Sequence, residues 1–155
     1  MVRVPEEVRQ FLAGRRFVVA GVSRNSQQPA NAIFRKLQSV GYDVLPVNPH
    51  APEVEGVRCY PDVTSVPGAV DGVVVVTHPG ASADIVRQSI ARGVDRIWFH
   101  RSFGEGSVSN EAVRACETND VSCIVGGCPL MYCEPVDIGH RCMRWWLDRR
   151  GRLPR

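Results

Sequence analysis

Phe17-Val18-Val19-Ala20-Gly21-Val22-Ser23 decides the fold. An unbroken apolar run that ends in glycine and serine, with no polar alternation, reads as a strand covered on both faces. Working outward, Pro29 opens a helix at its first position, and Ile33, Phe34, Leu37 and Val40 recur on one face until Gly41 stops it. Tyr42-Asp43-Val44-Leu45-Pro46-Val47 is a second strand, closed by Asn48-Pro49. The unit is strand, helix, strand, and it repeats.

Gly72-Val73-Val74-Val75-Val76 is the plainest strand, because consecutive valines favour extended backbone. Ser82 is expected to cap a helix running to Arg92, with Ile85, Val86, Ser89 and Ile90 inward and Gly93 as its stop. Arg96-Ile97-Trp98-Phe99 follows as a strand, Ser109 to Thr118 as a helix and Val121 to Val125 as a fifth strand. A short helix at Val4–Ala13 precedes the first strand, and another spans Gly139–Arg149. Between His50 and Ala69 proline and glycine are frequent, with room for a short strand at Val57–Tyr60. Strands separated by helices imply βαβ crossovers, hence an α/β fold: a three-layer, doubly wound, Rossmann-like domain with a mainly parallel sheet of about five strands. The expected organisation is one domain over 1–155, with a core at about 14–135 and a helical, basic carboxy-terminal segment at 136–155.

Composition narrows the function. The chain has 155 residues, of which 44% are hydrophobic and 23% charged, which is globular rather than disordered. No apolar run approaches the ~20 residues that cross a bilayer, and Met1–Gln10 lacks the basic-then-apolar order of a signal peptide. A cytoplasmic location with no membrane partner is expected. Cysteines at 59, 116, 123, 128, 133 and 142 form no C-x-x-C pair and match no common zinc module, so they read as reduced thiols and no metal is expected. Net charge is +3, which argues against a nucleic-acid partner. Lys36 is the only lysine among 19 basic residues. Six arginines crowd the last fifteen residues beside Trp145 and Trp146, a composition that suits a homodimer contact.

In doubly wound sheets ligands bind at the carboxyl ends of the strands. Gly21-Val22-Ser23-Arg24 follows the first strand: a glycine for a tight turn, then a hydroxyl and amides suited to a phosphate. G-x-G-x-x-G is absent, as is the G-K-[ST] of a P-loop. Asn48-Pro49-His50 closes the second strand with a neutral hydrogen-bonding corner where a NAD enzyme would place Asp or Glu. Thr77-His78-Pro79 ends the valine strand and offers an imidazole and a proline on which an adenine ring can pack. His100-Arg101 and the loop Phe103-Gly104-Glu105-Gly106 follow the fourth strand. At the fifth, Gly126-Gly127 are expected to expose backbone beside Cys128, the thiol best placed for a functional role.

With these residues the chain resembles the small stand-alone CoA-binding proteins, whose fold is also that of the CoA-binding domain in succinyl-CoA synthetase-type enzymes. The resemblance covers roughly 14–135 and rests on Val19-Ala20-Gly21-Val22-Ser23, on Gly41-Tyr42-Asp43-Val44-Leu45-Pro46-Val47-Asn48-Pro49, on Val70–Val76, on Trp98-Phe99 and on Cys128. It implies a pyrophosphate near Gly21, Ser23 and Arg24, with the adenosine between the Asn48-Pro49 and Thr77-His78-Pro79 corners. The chain departs from that family in Thr77-His78, where relatives often carry an arginine, in Gly126-Gly127, where many have a charged pair, and in the stretch Met131–Trp146. The expected function is binding of coenzyme A or an acyl-CoA without catalysis, since no nucleophile elbow, H-E-x-x-H or comparable constellation is present. The alternatives are a thiol-based redox sensor or enzyme using Cys128, and a NAD or adenine-nucleotide binder.

Overall fold

A computed structural model describes residues 3–102 and 104–154. Five parallel strands make the sheet: β1 (Arg16–Ala20), β2 (Asp43–Val47), β5 (Gly72–Val75), β6 (Arg96–Phe99) and β7 (Ser122–Val125), in spatial order β2-β1-β5-β6-β7. A separate antiparallel hairpin, β3 (Glu53–Val54) and β4 (Val57–Arg58), lies in the proline-rich stretch. The helices are α1 (Glu6–Leu12), α2 (Pro29–Ser39), α3 (Pro79–Ala91), α4 (Asn110–Thr118) and α5 (Ile138–Arg149), with one 3-10 turn at Pro129–Met131. The expected α/β architecture stands.

Strand alternation sorts the core into two layers. Phe17, Val19, Val74, Trp98 and Ile124 turn to one face and pack with Phe11 of α1, with Ile33, Phe34 and Leu37 of α2, and with Leu147 of α5. Val18, Ala20, Val73, Val75, Ile97 and Phe99 turn to the other and meet Ile85 and Val86 of α3 and Ala112 and Cys116 of α4. Trp98, fully buried, anchors its indole Nε1–H on the Gly126 carbonyl at 2.9 Å. The basic carboxy-terminal segment belongs to this core, since Leu147 and Leu153 are buried in it. Among the described residues no helix is long and apolar enough to cross a membrane.

Three boundaries move by two residues or more. α1 starts at Glu6 because Pro5 is extended, with ψ 148°. The short strand expected at Val57–Tyr60 is Val57–Arg58, and Tyr60 instead bridges in parallel to Val47. α3 begins at Pro79 rather than at Ser82. Proline's fixed φ suits the first helical position, and the residue before it, His78, is held extended. Ser82 therefore lies inside the helix, fully buried, and donates its hydroxyl to the Ser107 carbonyl at 2.6 Å.

Candidate ligand site at the carboxyl rim of the sheet

The strand order reverses direction between β1 and β5, so the loops after these strands diverge and leave a crevice at their carboxyl ends. Gly21 stands at that point. Its φ is +108°, its N–H donates to the Val47 carbonyl at 2.9 Å, and a Cβ there would come within 2.2 Å of the Val76 carbonyl. Only glycine fits so close to the neighbouring strand.

The turn after it is held by a residue the sequence reading passed over. Asn31, in the first turn of α2, is 1% exposed. Its Oδ1 accepts from the Ser23 N–H at 3.0 Å, and its Nδ2 donates to the Ser23 carbonyl and to Glu55 Oε1, both at 2.7 Å. Glu55, at the hairpin tip with φ +50°, also receives Arg35 Nη1 at 2.6 Å. The Ser23 amide, expected to face a phosphate, is thus engaged, and the Ser23 hydroxyl accepts from the Asn25 N–H at 3.1 Å. The backbone N–H groups of Val22, Arg24 and Ser26 have no acceptor among the described residues. Arg24 is exposed, touches only the His50 carbonyl (3.1 Å), and pairs with no carboxylate among the described residues.

Asn48 is a brace. Its Nδ2 donates to the Val22 carbonyl at 2.9 Å, and its Oδ1 accepts from the His50 N–H at 2.8 Å. It ties the end of β2 to the β1–α2 turn and leaves Pro49 and His50 exposed.

Two clefts flank this turn. One, of about 300 Å³, lies between Ser23-Arg24-Asn25 and Asn48, His50 and Ala51. The other, of about 280 Å³, is lined by Gly21, by Gln28-Pro29-Ala30 at the start of α2, by Val76-Thr77-His78 and by His100, Gly106 and Ser107. The Asn48 and Thr77-His78 corners therefore face different clefts on either side of Gly21. Thr77 Oγ1 and Ser82 Oγ lie 3.3 Å apart. The exposed His78 ring lies over the first turn of α3, within 3.1 Å of where a Gly80 Cβ would be, and Pro79 sits at that helix's first position. His100 is half-buried with Nε2 3.1 Å from Ser102 Oγ; burial, then the nearby charge of His140, lowers its pKa to about 4, so its ring is neutral at pH 7. The Ser107 N–H closes the His100–Ser107 loop on the His100 carbonyl at 2.8 Å. Phe103 of that loop lies outside the described residues. Neither lining contains an Asp or Glu, whereas Arg24, His50, His78 and His100 all border the clefts.

The glycine pair departs from expectation. Gly126 and Gly127 are buried, because the chain end returns over them: a Gly127 Cβ would meet Pro154 at 3.2 Å and a Gly126 Cβ the Arg152 carbonyl at 3.3 Å. Their carbonyls already serve Trp98 Nε1 and the Arg101 N–H. Cys128 is 3% exposed beneath them and lines neither cleft. Burial pushes its thiol up to about 12, so it carries its proton at neutral pH.

Asn31 had a signal in the sequence: a polar residue three positions before Phe34, on the apolar face of an amphipathic helix, needs a buried partner. Ser82 and Ser107 gave none, since their contact joins residues 25 apart.

A doubly wound α/β sheet with carboxylate-free clefts at the carboxyl ends of its strands, beside the switch point, defines a Rossmann-like domain with a crevice where such folds take their ligands. Comparison with known proteins specifies it further: residues 15–134 match the CoA binding domain, and the chain belongs to that family. It is 22% identical over 123 residues to the uncharacterized protein YneT of Bacillus subtilis, covering 79% of this chain and 88% of that one. A hypothetical protein of Pyrococcus horikoshii superposes with a TM-score of 0.74 at 26% identity, over 83% of this chain and 93% of that one. The acetyl-coenzyme A synthetase 1 of Ca. Korarchaeum cryptofilum superposes with a TM-score of 0.61 at 28% identity, over 74% of this chain but only 25% of the synthetase.

Proposed function

We propose that the chain holds coenzyme A, free or acylated, across the two clefts, with the diphosphate over the Gly21–Arg24 turn, and that it acts as a binding module without chemistry of its own. The observation that carries this reading is the pair of clefts. Each is at the small end of the ~300–1,000 Å³ usual for ligand cavities, and together they suit a long ligand with two lobes joined by phosphates. Their linings supply the Arg24 guanidinium, imidazole N–H donors and no carboxylate, which favours an anion. The N–H groups of Arg24 and Ser26, both on exposed residues, add donors for phosphate oxygens. Six free cysteines fit a reducing compartment, the cytoplasm.

Isothermal titration of ligand-stripped protein with CoA, acetyl-CoA, dephospho-CoA, NAD and ATP tests the reading. Saturable micromolar binding of CoA, weaker for NAD and ATP, is expected; no heat with CoA would end it, and tighter binding of NAD would replace it with a dinucleotide function.

A second copy of the chain is the partner we propose for the outer face of α5, where Ile138 is 78% and Trp145 51% exposed. The face is acidic at its amino end (Glu134, Asp137) and basic at its carboxyl end (Arg149, Arg150), so an antiparallel pairing is complementary. Light scattering over a concentration series reads the dimer directly.

A further inference from the structure

We propose that Cys116 and Cys123 form a dithiol that peroxide oxidises to an intramolecular disulfide, joining α4 to the edge strand β7. The backbone brings them together. Ala112 and Cys116 form the buried, sheet-facing side of α4. The chain leaves the helix through Asn119-Asp120, with Asp120 at φ +55°, and the Cys116 carbonyl accepts the N–H of both Asn119 (3.2 Å) and Val121 (2.9 Å). β7 therefore starts directly beside the last turn of α4. Within it Ile124 turns to the α1–α2 layer, so Cys123 turns to the α4 layer and packs against the cluster that contains Cys116. The two thiols are close enough for each to perturb the other's ionisation.

The two sulfurs differ in ways that assign their roles. Cys116 is fully buried, whereas Cys123 is only half-buried, on the outermost strand of the sheet, and is the more accessible residue of the two. The neighbouring Cys116 thiol lowers the Cys123 pKa against the opposing effects of its own burial and the Glu117 and Glu7 carboxylates, and Cys116 is raised in turn. Cys59, Cys128 and Cys133 are buried and raised by burial, which makes them slow.

In the first step the Cys123 thiolate attacks one oxygen of hydrogen peroxide; the O–O bond breaks, hydroxide leaves, and Cys123 becomes a sulfenic acid. In the second the Cys116 sulfur, releasing its proton, attacks the Cys123 sulfur; the S–O bond breaks and water leaves. The two sulfurs lose two electrons to the peroxide, whose oxygens end as water.

The test uses the full chain with Cys142→Ser, which removes the exposed thiol. Limiting peroxide should give a monomer lighter by two hydrogens, and non-reducing digestion should yield a Cys116–Cys123 cross-linked peptide that a reductant separates. In Cys116→Ala, which keeps a small apolar side chain in the core, Cys123 should instead be captured by a 1,3-diketone as its sulfenic acid. Two results overturn the proposal: peroxide leaving Cys116 and Cys123 alkylatable while another thiol oxidises, or Cys123 advancing to sulfinic acid with no cross-link in the parent. The mapping of the parent decides alone if the alanine variant does not fold.

Discussion

Asn31 and Ser23 form a closed pair: the Asn31 carboxamide accepts the Ser23 N–H at 3.0 Å and returns a hydrogen bond to the Ser23 carbonyl at 2.7 Å. A side chain thus stands in for a strand partner and fixes the one turn that both clefts share. Asn31→Ala leaves the Ser23 amide without this acceptor and removes a donor from Glu55, a loss on the order of 2–3 kcal/mol when buried groups go unpaired. Chemical denaturation should register that loss, and CoA binding should weaken with it. Asn31→Asp is expected to be worse, because it replaces the donor to Glu55 with a second carboxylate. A wild-type midpoint for Asn31→Ala would show that the turn holds its shape without the brace.

Gly21 follows β1 directly and lies against the Val76 carbonyl just past the end of β5. In Gly21→Ala the new methyl would lie 2.2 Å from the Val76 carbonyl at a φ of +108°. Relief requires the strand ends to separate, and steric and dihedral strain together are expected to lower stability by about 2–4 kcal/mol. Because separation widens the crevice at its floor, ligand affinity should fall further than in Asn31→Ala. Thermal unfolding with and without CoA distinguishes the two contributions.

These two positions differ in how they announce themselves. Gly21 ends an apolar run, and the residues around it were readable because strand propensity and the valine run at 72–76 act locally; β6 falls at Arg96–Phe99 as the sequence indicates. Asn48 was legible as a corner but not as a brace, since its partners are the carbonyl of Val22 and the amide of His50. The burial of Gly126-Gly127 was not legible at all. It depends on Pro154 and Arg152 returning across the rim, a contact set by the docking of α5 rather than by anything near the glycines.

His100 gives the fold a pH dependence with a definite sign. Its pKa is lowered to about 4 from the usual ~6.5, chiefly by burial and secondly by the His140 charge. Between these values the unfolded chain binds a proton that the folded chain refuses, so stability falls as pH drops from about 6.5 to about 4. The loss from this group approaches about 3 kcal/mol at the lower limit. Asp62, Asp71 and Asp137, whose pKa values are lowered by hydrogen bonds, act in the same direction but only below about pH 4, in the carboxylate range. His100→Gln should flatten the slope across pH 4–6.5 and leave it unchanged below. An unaltered slope in the variant would transfer the effect to another imidazole.

Arg24 is the cation that borders the first cleft without a carboxylate partner among the described residues. A guanidinium donating to a diphosphate makes charge-assisted hydrogen bonds, and its removal costs about 1.5–3 kcal/mol, roughly ten- to a hundredfold in Kd. Arg24→Ala should therefore weaken CoA by that factor. The unfolding midpoint should barely move, since the side chain is exposed and contributes a single contact to the His50 carbonyl. The difference between wild type and variant should shrink as salt is raised, because an exposed ion contact is screened over ~8–10 Å at physiological ionic strength. Titrations at low and high salt measure both quantities at once. Equal affinity of the two proteins at low salt would remove the diphosphate from this turn and leave the basic lining to some other anion.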